Sequence, residues 1–250
     1  MNWTNLKKAL IIVPLLLALI ALYEWWAARN RGFTKEKVYG IKLPEPFRIH
    51  GIDVSSYQLT IDWGRVKTSG DRQHQISFAY IKASEGRGKT DPFFFRNWSQ
   101  AHRQGIPAGA YHFFLPSQNG QEQARHFIKL VQLKKGDLPP VVDIEKDLGV
   151  GRQNLRKELK LFLQEVEKAY RVKPILYTNI KFYNQYLSDG FEEFPLWVAH
   201  YIDRGRPRID RNWTFWQHSE SGNNVPGISV RVDFNVFNGD SLAFQRLRLP

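Results

Sequence analysis

The chain of 250 residues contains no cysteine. That absence excludes a disulfide scaffold, a thiolate zinc site, a cysteine nucleophile and a lipid-modified N-terminal cysteine. No internal repeat and no low-complexity segment is present, and no Lys/Arg-rich run of the kind nucleic-acid tails carry. No two histidines stand four apart on a helix, so spacing offers no metal site, and no cofactor is expected. Glycines 86 and 88 flank Arg87 without the pattern of a phosphate loop and read as a turn.

What is present suits a folded domain. Hydrophobic residues make up 42% and charged residues 24%, which argues against disorder. Aromatics are abundant at 14%, a composition suited to surfaces that stack on flat groups. The net charge of +12 favours a polyanionic partner, whether nucleic acid, anionic lipid or an acidic polymer. Its spread along the chain is equally that of a basic, merely solvated surface.

The first residues read as an address. Lys7 and Lys8 precede an uncharged apolar run from Ala9 to Leu22, and Tyr23, Glu24, Trp25 and Trp26 follow. Extended to Ala28, the run reaches the ~20 residues a membrane span needs, with the tryptophans where an aromatic belt would lie. No Ala-x-Ala pair marks a cleavage site, so residues 1–28 are expected to be an uncleaved membrane anchor rather than a cleaved signal. Arg29, Arg31, Lys35 and Lys37 outnumber the lysines before the run and leave the orientation to be decided by function. Residues 29–47 read as a linker ending in Leu43-Pro44-Glu45-Pro46.

From residue 48 to residue 250 the pattern is that of one domain. Short β-rich runs recur at Ile49–Val54, Ile76–Lys82, Ala108–Phe114, Leu138–Ile144, Ile175–Tyr177, Leu196–His200, Trp213–Gln217 and Ser229–Phe234. Leu155, Leu159, Phe162, Val166 and Ala169 repeat at helical spacing, and Phe93–Gln104 and Gln121–Leu133 do so more weakly. Strand–helix alternation predicts an α/β fold with a parallel sheet closed into a TIM-like barrel of about eight strands. Few residues separate the last three strands, so the second half is expected to be irregular and poor in helices.

In such a barrel the chemistry sits at the carboxyl ends of the strands. The polar residues there are Asp53 after the first run, Asp143 and Glu145 after the fourth, and Asp233 after the eighth. Residues i and i+2 of a strand share a face, so Asp143 and Glu145 project together. Close carboxylates do not both ionise cheaply, and a protonated acid beside an ionised one is what glycosidic cleavage requires. The bland alternative is a pair of surface acids matched by basic neighbours. Tyr111, Tyr177, Trp197, Tyr201 and Trp216 lie at or near strand ends, where sugar faces stack, although each alone suits a core. Lys82 is a further substrate-binding candidate, with an ion pair to Glu85 as the alternative. His112 and His200 read as residues that orient neighbours.

The same residues carry a family resemblance. His50-Gly51-Ile52-Asp53-Val54-Ser55 with Ile61-Asp62-Trp63 resembles the opening of family 25 glycoside hydrolases, the Chalaropsis-type lysozymes. Phe78-Ala79-Tyr80-Ile81-Lys82-Ala83-Ser84-Glu85-Gly86, Gly109-Ala110-Tyr111-His112-Phe113 and Asp143-Ile144-Glu145 follow in the family's order. So do Leu176-Tyr177-Thr178, Pro195-Leu196-Trp197-Val198-Ala199, Phe215-Trp216-Gln217, Val225-Pro226-Gly227-Ile228 and Val232-Asp233-Phe234-Asn235. The resemblance covers about residues 48 to 245. It implies an irregular β/α barrel and cleavage of the β-1,4 bond between N-acetylmuramic acid and N-acetylglucosamine in peptidoglycan. It further implies Glu145 as general acid, Asp143 as its assistant, and Asp53 and Asp233 as the rest of an acidic cluster, with no metal.

The expected protein is thus a muramidase of the cell envelope, monomeric and membrane-anchored, its barrel on the wall-facing side. A wall-binding or scaffolding module that kept the barrel without activity is the alternative. Nucleic-acid binding driven by charge has no motif behind it.

Overall fold

The computed structural model describes residues 3–30, 32–71, 74–201 and 205–250. Among the described residues, strands β1 (Phe33–Glu36) and β2 (Ile41–Pro44) form an antiparallel hairpin. The other strands are β3 (His50–Val54), β4 (Ile76–Glu85), β5 (Lys89–Thr90), β6 (Ala108–Phe113), β7 (Val141–Asp143), β8 (Ile175–Asn179), β9 (Leu196–Ala199), β10 (Phe215–Gly222) and β11 (Val232–Phe237). They join in one sheet that closes where β3 pairs with β4, leaving β5 as a short antiparallel addition to the end of β4. The result is a mixed α/β fold around a closed barrel of eight strands.

The barrel is not wholly parallel. Strands β3, β4 and β6 through β10 run in parallel, but β11 is antiparallel to both β10 and β3. The reason is chain length. A parallel crossover needs a dozen or more residues, and the segment 223–231 between β10 and β11 is shorter than that. Helices α1 (Trp3–Asn30), α2 (Trp63–Lys67), α3 (Phe94–Arg103), α4 (Gly120–Leu130) and α5 (Arg152–Tyr170) fall largely before β8. Helix α5 buries Leu155, Leu159, Phe162 and Val166, as the spacing predicts, together with Leu163, while Ala169 at the end of the pattern is exposed. Asp62 of the Ile-Asp-Trp segment caps α2, its side chain accepting from the Arg65 backbone N–H at 3.2 Å.

Two apolar layers hold the barrel together. Inside it, Phe78, Tyr80, Val141, Ile175, Trp197 and Phe215 fill the lumen. Glycine makes room for the two large rings of β4: a Cβ on Gly51 would lie 2.4 Å from the Phe78 ring, and one on Gly109 would lie 2.1 Å from the Tyr80 ring. Outside it, the second layer includes Ile52, Ala79, Ile81, Val142, Ile144 and Leu176, which meet the helices.

Helices α4 and α5 are in backbone contact at Gly120. Its N–H donates to Glu158 Oε2 at 2.8 Å, and a Cβ there would lie 1.8 Å from the Glu158 carbonyl oxygen. Backbone cannot yield as a flexible side chain can, so Gly120→Ala is expected to cost about 3 kcal/mol or more. In a chain of this size that is a fall of roughly 6–12 °C in melting temperature, read by thermal circular dichroism.

The N-terminal segments differ from expectation. Residues 3–30 are helical, and the side chains from Ile12 to Trp26 are exposed. Yet among the described residues no helix is long and apolar enough to cross a membrane, so the anchor expected over residues 1–28 is not supported. The uncharged stretch between Lys8 and Glu24 is about 15 residues, or ~22 Å of helix against a hydrocarbon core of ~30 Å. Met1 and Asn2 lie outside the described residues. The segment 29–47, expected as a linker, contains the β1–β2 hairpin, while Arg31 lies outside the described residues. Tyr39, Ile41 and Leu43 of the hairpin are buried, and the Tyr39 ring packs 4.9 Å from Phe234 of β11.

Candidate active site

The register of the barrel assembles the site. Asp53 of β3 pairs directly with Asp233 of β11, and Asp143 lies beside Tyr177 of β8. Glu145 follows two residues after Asp143, while Ile144 between them is buried on the other face of the sheet. The four acids share one cavity of about 100 Å³ with Tyr111, Val141, Tyr177, Trp197 and Gln217. That volume holds a few waters or one polar group and is the deep end of a site, not a berth for a whole sugar. Glu145 also borders a broader groove of about 450 Å³, with Lys146, Asn179, Lys181, Gln185 and Tyr186 along it. Among the four acids it alone faces both spaces.

The acids associate in two hydrogen-bonded pairs, Asp53 with Asp233 and Asp143 with Glu145. Burial raises the pKa of all four. For Asp53 the rise is opposed by two amides: Gln217 Nε2 donates to Oδ2 at 2.8 Å and Asn235 Nδ2 to the same atom at 2.7 Å. Those bonds favour the anion on Asp53, and the proton of this pair then belongs on Asp233. Burial and the Asp53 charge push Asp233 up to about 8. In the other pair, burial and the Glu145 charge hold Asp143 well above the usual carboxylate range. Burial raises Glu145 too, against hydrogen bonds from Asp143 and Asn179 that favour its ionised form. The resting proton therefore sits on Asp143, shared toward Glu145.

The amides are themselves fixed. Gln217 Oε1 accepts from the Tyr177 hydroxyl at 2.8 Å and from the Tyr201 hydroxyl at 2.6 Å. Trp197 Nε1 donates to Asn235 Oδ1 at 2.8 Å. Gln217, Asn235 and Asn179 were not among the residues singled out from sequence, although the first two lie in the resembling segments. Their signal is an uncharged amide within or closing an apolar strand, where burial demands a partner.

The aromatic candidates divide. Tyr111 and Tyr177 line the cavity, and burial together with nearby carboxylates raises both phenols. Tyr201 stays half-exposed while its hydroxyl reaches Gln217. Trp197 forms part of the floor, buried with its ring 4.8 Å from Tyr80 and 4.9 Å from Tyr177. Trp216 is a correction. It is 0% exposed and lies outside the barrel, near Phe33, Phe47 and Trp213, with Nε1 donating to the His200 carbonyl at 2.7 Å. The pleat explains this: Phe215 and Gln217 point inward, so Trp216 points outward.

Lys82 does not line the cavity. Its Nζ pairs with Glu85 at 2.7 Å and lies 4.8 Å from the Phe113 ring centroid, close enough for its charge to oppose the rise at Asp143. His112 sits between Ser84 Oγ at 2.8 Å and Gln123 Oε1 at 3.2 Å, and burial lowers its pKa to about 3.

The carboxyl pairs have a consequence for stability. A carboxyl whose folded pKa is raised contributes stability that is fully present below its unfolded value, near 4. That stability is lost as pH rises through the folded value, which for Asp233 is about 8. Buried His50, His112 and His218, whose pKa values are lowered, oppose this below the ordinary imidazole range, so the wild-type melting temperature is expected to fall between about pH 6.5 and pH 8. Asp233→Asn removes part of that slope, and melting curves across the interval measure it. An unchanged slope would contradict the pairing.

Residues 52–228 match the family described as Glycosyl hydrolases family 25. The chain is 44% identical over 208 residues to YegX of Escherichia coli strain K12, covering 83% of this chain and 76% of YegX. It is 34% identical over 212 residues to Lysozyme M1 of Streptomyces globisporus, covering 77% of this chain and 69% of that protein. A solved family 25 glycosyl hydrolase from Bacillus anthracis superposes with a TM-score of 0.74 at 34% identity, covering 82% of this chain and 95% of that one.

Proposed function

The chain belongs to glycosyl hydrolase family 25 and is a glycosidase of the lysozyme class, and on that premise we propose that Glu145 is the general acid of a muramidase. The observation that carries this reading is the position of Glu145 at the seam between the buried carboxyl pocket and the open groove. A glycan lying in the groove would present its bridging oxygen to Glu145 and the ring it is leaving to the pocket.

The protons balance in three steps. Asp143 passes its proton to Glu145 along the hydrogen bond that joins them. Glu145 delivers it to the glycosidic oxygen as the carbon–oxygen bond breaks. Asp143, now ionised, stabilises the oxocarbenium-like centre, with Asp53 supplying a second fixed negative charge. Water then adds at the sugar carbon and returns a proton to the pair. Asp143 Oδ1 is buried without a hydrogen-bond partner among the described residues, which leaves that lone pair for the substrate. Gln217 and Asn235 hold the Asp53 charge in place, and Tyr111 and Tyr177 form the walls.

The substrate of this reading is the peptidoglycan glycan strand, cut between N-acetylmuramic acid and N-acetylglucosamine. A cell-envelope or extracellular location fits it. The catalytic unit is residues 48–250, with the hairpin of 33–44 packed against it. Mass spectrometry of peptidoglycan digested by the protein tests the assignment. Muramic-acid reducing ends are expected; glucosamine reducing ends or cut peptides would refute it.

A further inference from the structure

A second cluster of ligating groups lies away from the acids, where the β1–β2 hairpin meets the barrel. His74 Nδ1 is 3.0 Å from Glu36 Oε2 and 3.1 Å from Asp71 Oδ1. One donor atom from each of the three residues lies within 4.8 Å of the others. The His50 ring faces this group, its centroid 5.9 Å from that of His74. His50 is 1% exposed, and among the described residues neither of its ring nitrogens has a hydrogen-bond partner.

We propose that Glu36, Asp71, His74 and His50 form a binding site for a divalent zinc-type cation that staples the hairpin to the barrel.

The geometry suits such an ion. Two imidazoles bound to one zinc at ~2.1 Å per nitrogen have ring centroids roughly 5–6 Å apart. One imidazole nitrogen and two carboxylate oxygens already lie close enough to share an ion, and His50 would complete a tetrahedral set of the kind zinc accepts by a shift of its ring. An unpartnered imidazole in a buried seam is costly, and an ion would satisfy one of its nitrogens. A cavity of about 290 Å³ bordered by Thr34, Glu45, Phe47, Arg48, His50 and His74 gives a way in. Arg48 and Glu45 are opposite charges on its wall. The backbone beside the site is pinned, since Tyr39 Oη donates to the His74 carbonyl at 3.1 Å and contacts Ser69 Oγ at 3.2 Å.

The ligands come from the hairpin, from the start of β3 and from the segment between α2 and β4. An ion there would join three parts of the chain that are distant in sequence. It would bind the folded form and raise its stability by mass action.

The test uses the full chain, stripped with EDTA and titrated with zinc chloride by calorimetry, with melting followed in parallel. One zinc per chain is expected, with a rise of roughly 5–10 °C in melting temperature at about a hundredfold excess over Kd. His74→Ala should abolish the rise, and Asp71→Asn should weaken binding at least ~10-fold by removing a charged ligand. The Asp71 side chain is exposed and that of His74 partly buried, and circular dichroism without zinc checks that each variant folds. Asp143→Asn should bind zinc as the wild type does. The proposal is overturned if the wild type shows neither heat nor stabilisation. It is equally overturned if zinc binding survives His74→Ala or disappears in Asp143→Asn, either of which would put the ion in the carboxyl pocket.

Discussion

Glu145→Gln is expected to lower turnover on peptidoglycan by ~10³-fold or more, with the fold intact, because the amide has no acidic proton to give. The change is nearly isosteric and its site is half-buried at the mouth of the pocket. The Asn179 contact has room to persist by turning the new amide. Melting temperature should therefore hold steady or rise slightly, since a carboxyl with a raised pKa has been made neutral. Release of reducing ends measures turnover, and thermal melting measures the fold. Retention of a tenth of the activity would remove Glu145 from the role of acid, whatever the family membership. Loss of activity together with loss of folding would decide nothing, and Glu145→Asp supplies the second comparison. It keeps the proton but withdraws it by one methylene, so a working acid at this position should lose activity through distance alone.

The barrel was legible because each strand is an apolar run closed by a polar residue. All eight expected runs became barrel strands, from Ile49–Val54, realised as His50–Val54, to Ser229–Phe234, realised as Val232–Phe237. The α5 pattern was legible for the same reason: most of its charges face water, Glu158 excepted, while Leu155, Leu159 and Leu163 are buried. The orientation of side chains within strands was not legible. A sheet covered on both faces buries alternate residues on each, so hydrophobicity carries no period of two. Phe215 and Trp216 are equally apolar, yet one fills the lumen and the other lies under the hairpin. The aromatic in the resembling segment was therefore noticed, while the buried Gln217 beside it carries the link to Asp53. The direction of β11 was hidden for another reason: it depends on the length of one connection, which hydropathy does not express.

The acids themselves were legible as types and positions, and Asp143 with Glu145 as a pair, but the pairing of Asp53 with Asp233 was not. That Asp53 faces Asp233 follows from the antiparallel register of β11. The cluster of Glu36, His50, Asp71 and His74 was invisible for the same kind of reason. Its residues share no spacing, and only the folding of the hairpin onto the barrel brings Glu36 to the histidines.

Asp143→Asn should separate a chemical role for this residue from a structural one. Turnover is expected to fall by ~10²–10³-fold, because the variant loses both the proton reservoir for Glu145 and the negative charge beside the oxocarbenium-like centre. Stability should move the other way. The folded pKa of Asp143 lies well above its unfolded value, so the stability it contributes is present at low pH and lost as pH rises through the folded value. A neutral amide escapes that loss, and the melting temperature at pH 7 should not fall and is expected to rise. A residue that served only packing would give the reverse, a lower melting temperature with activity per folded molecule retained. The pH profile adds a second signature. In the wild type, an acidic neighbour keeps a proton within the pair; in the variant, the substituted amide donates to Glu145 and favours its anion. Glu145 then loses its proton more readily, and the alkaline limb of kcat/KM should move to lower pH. An unmoved limb with reduced turnover would leave Asp143 its electrostatic part and deny it the proton. A limb that moves to higher pH would reverse the order of the pair, placing the resting proton on Glu145.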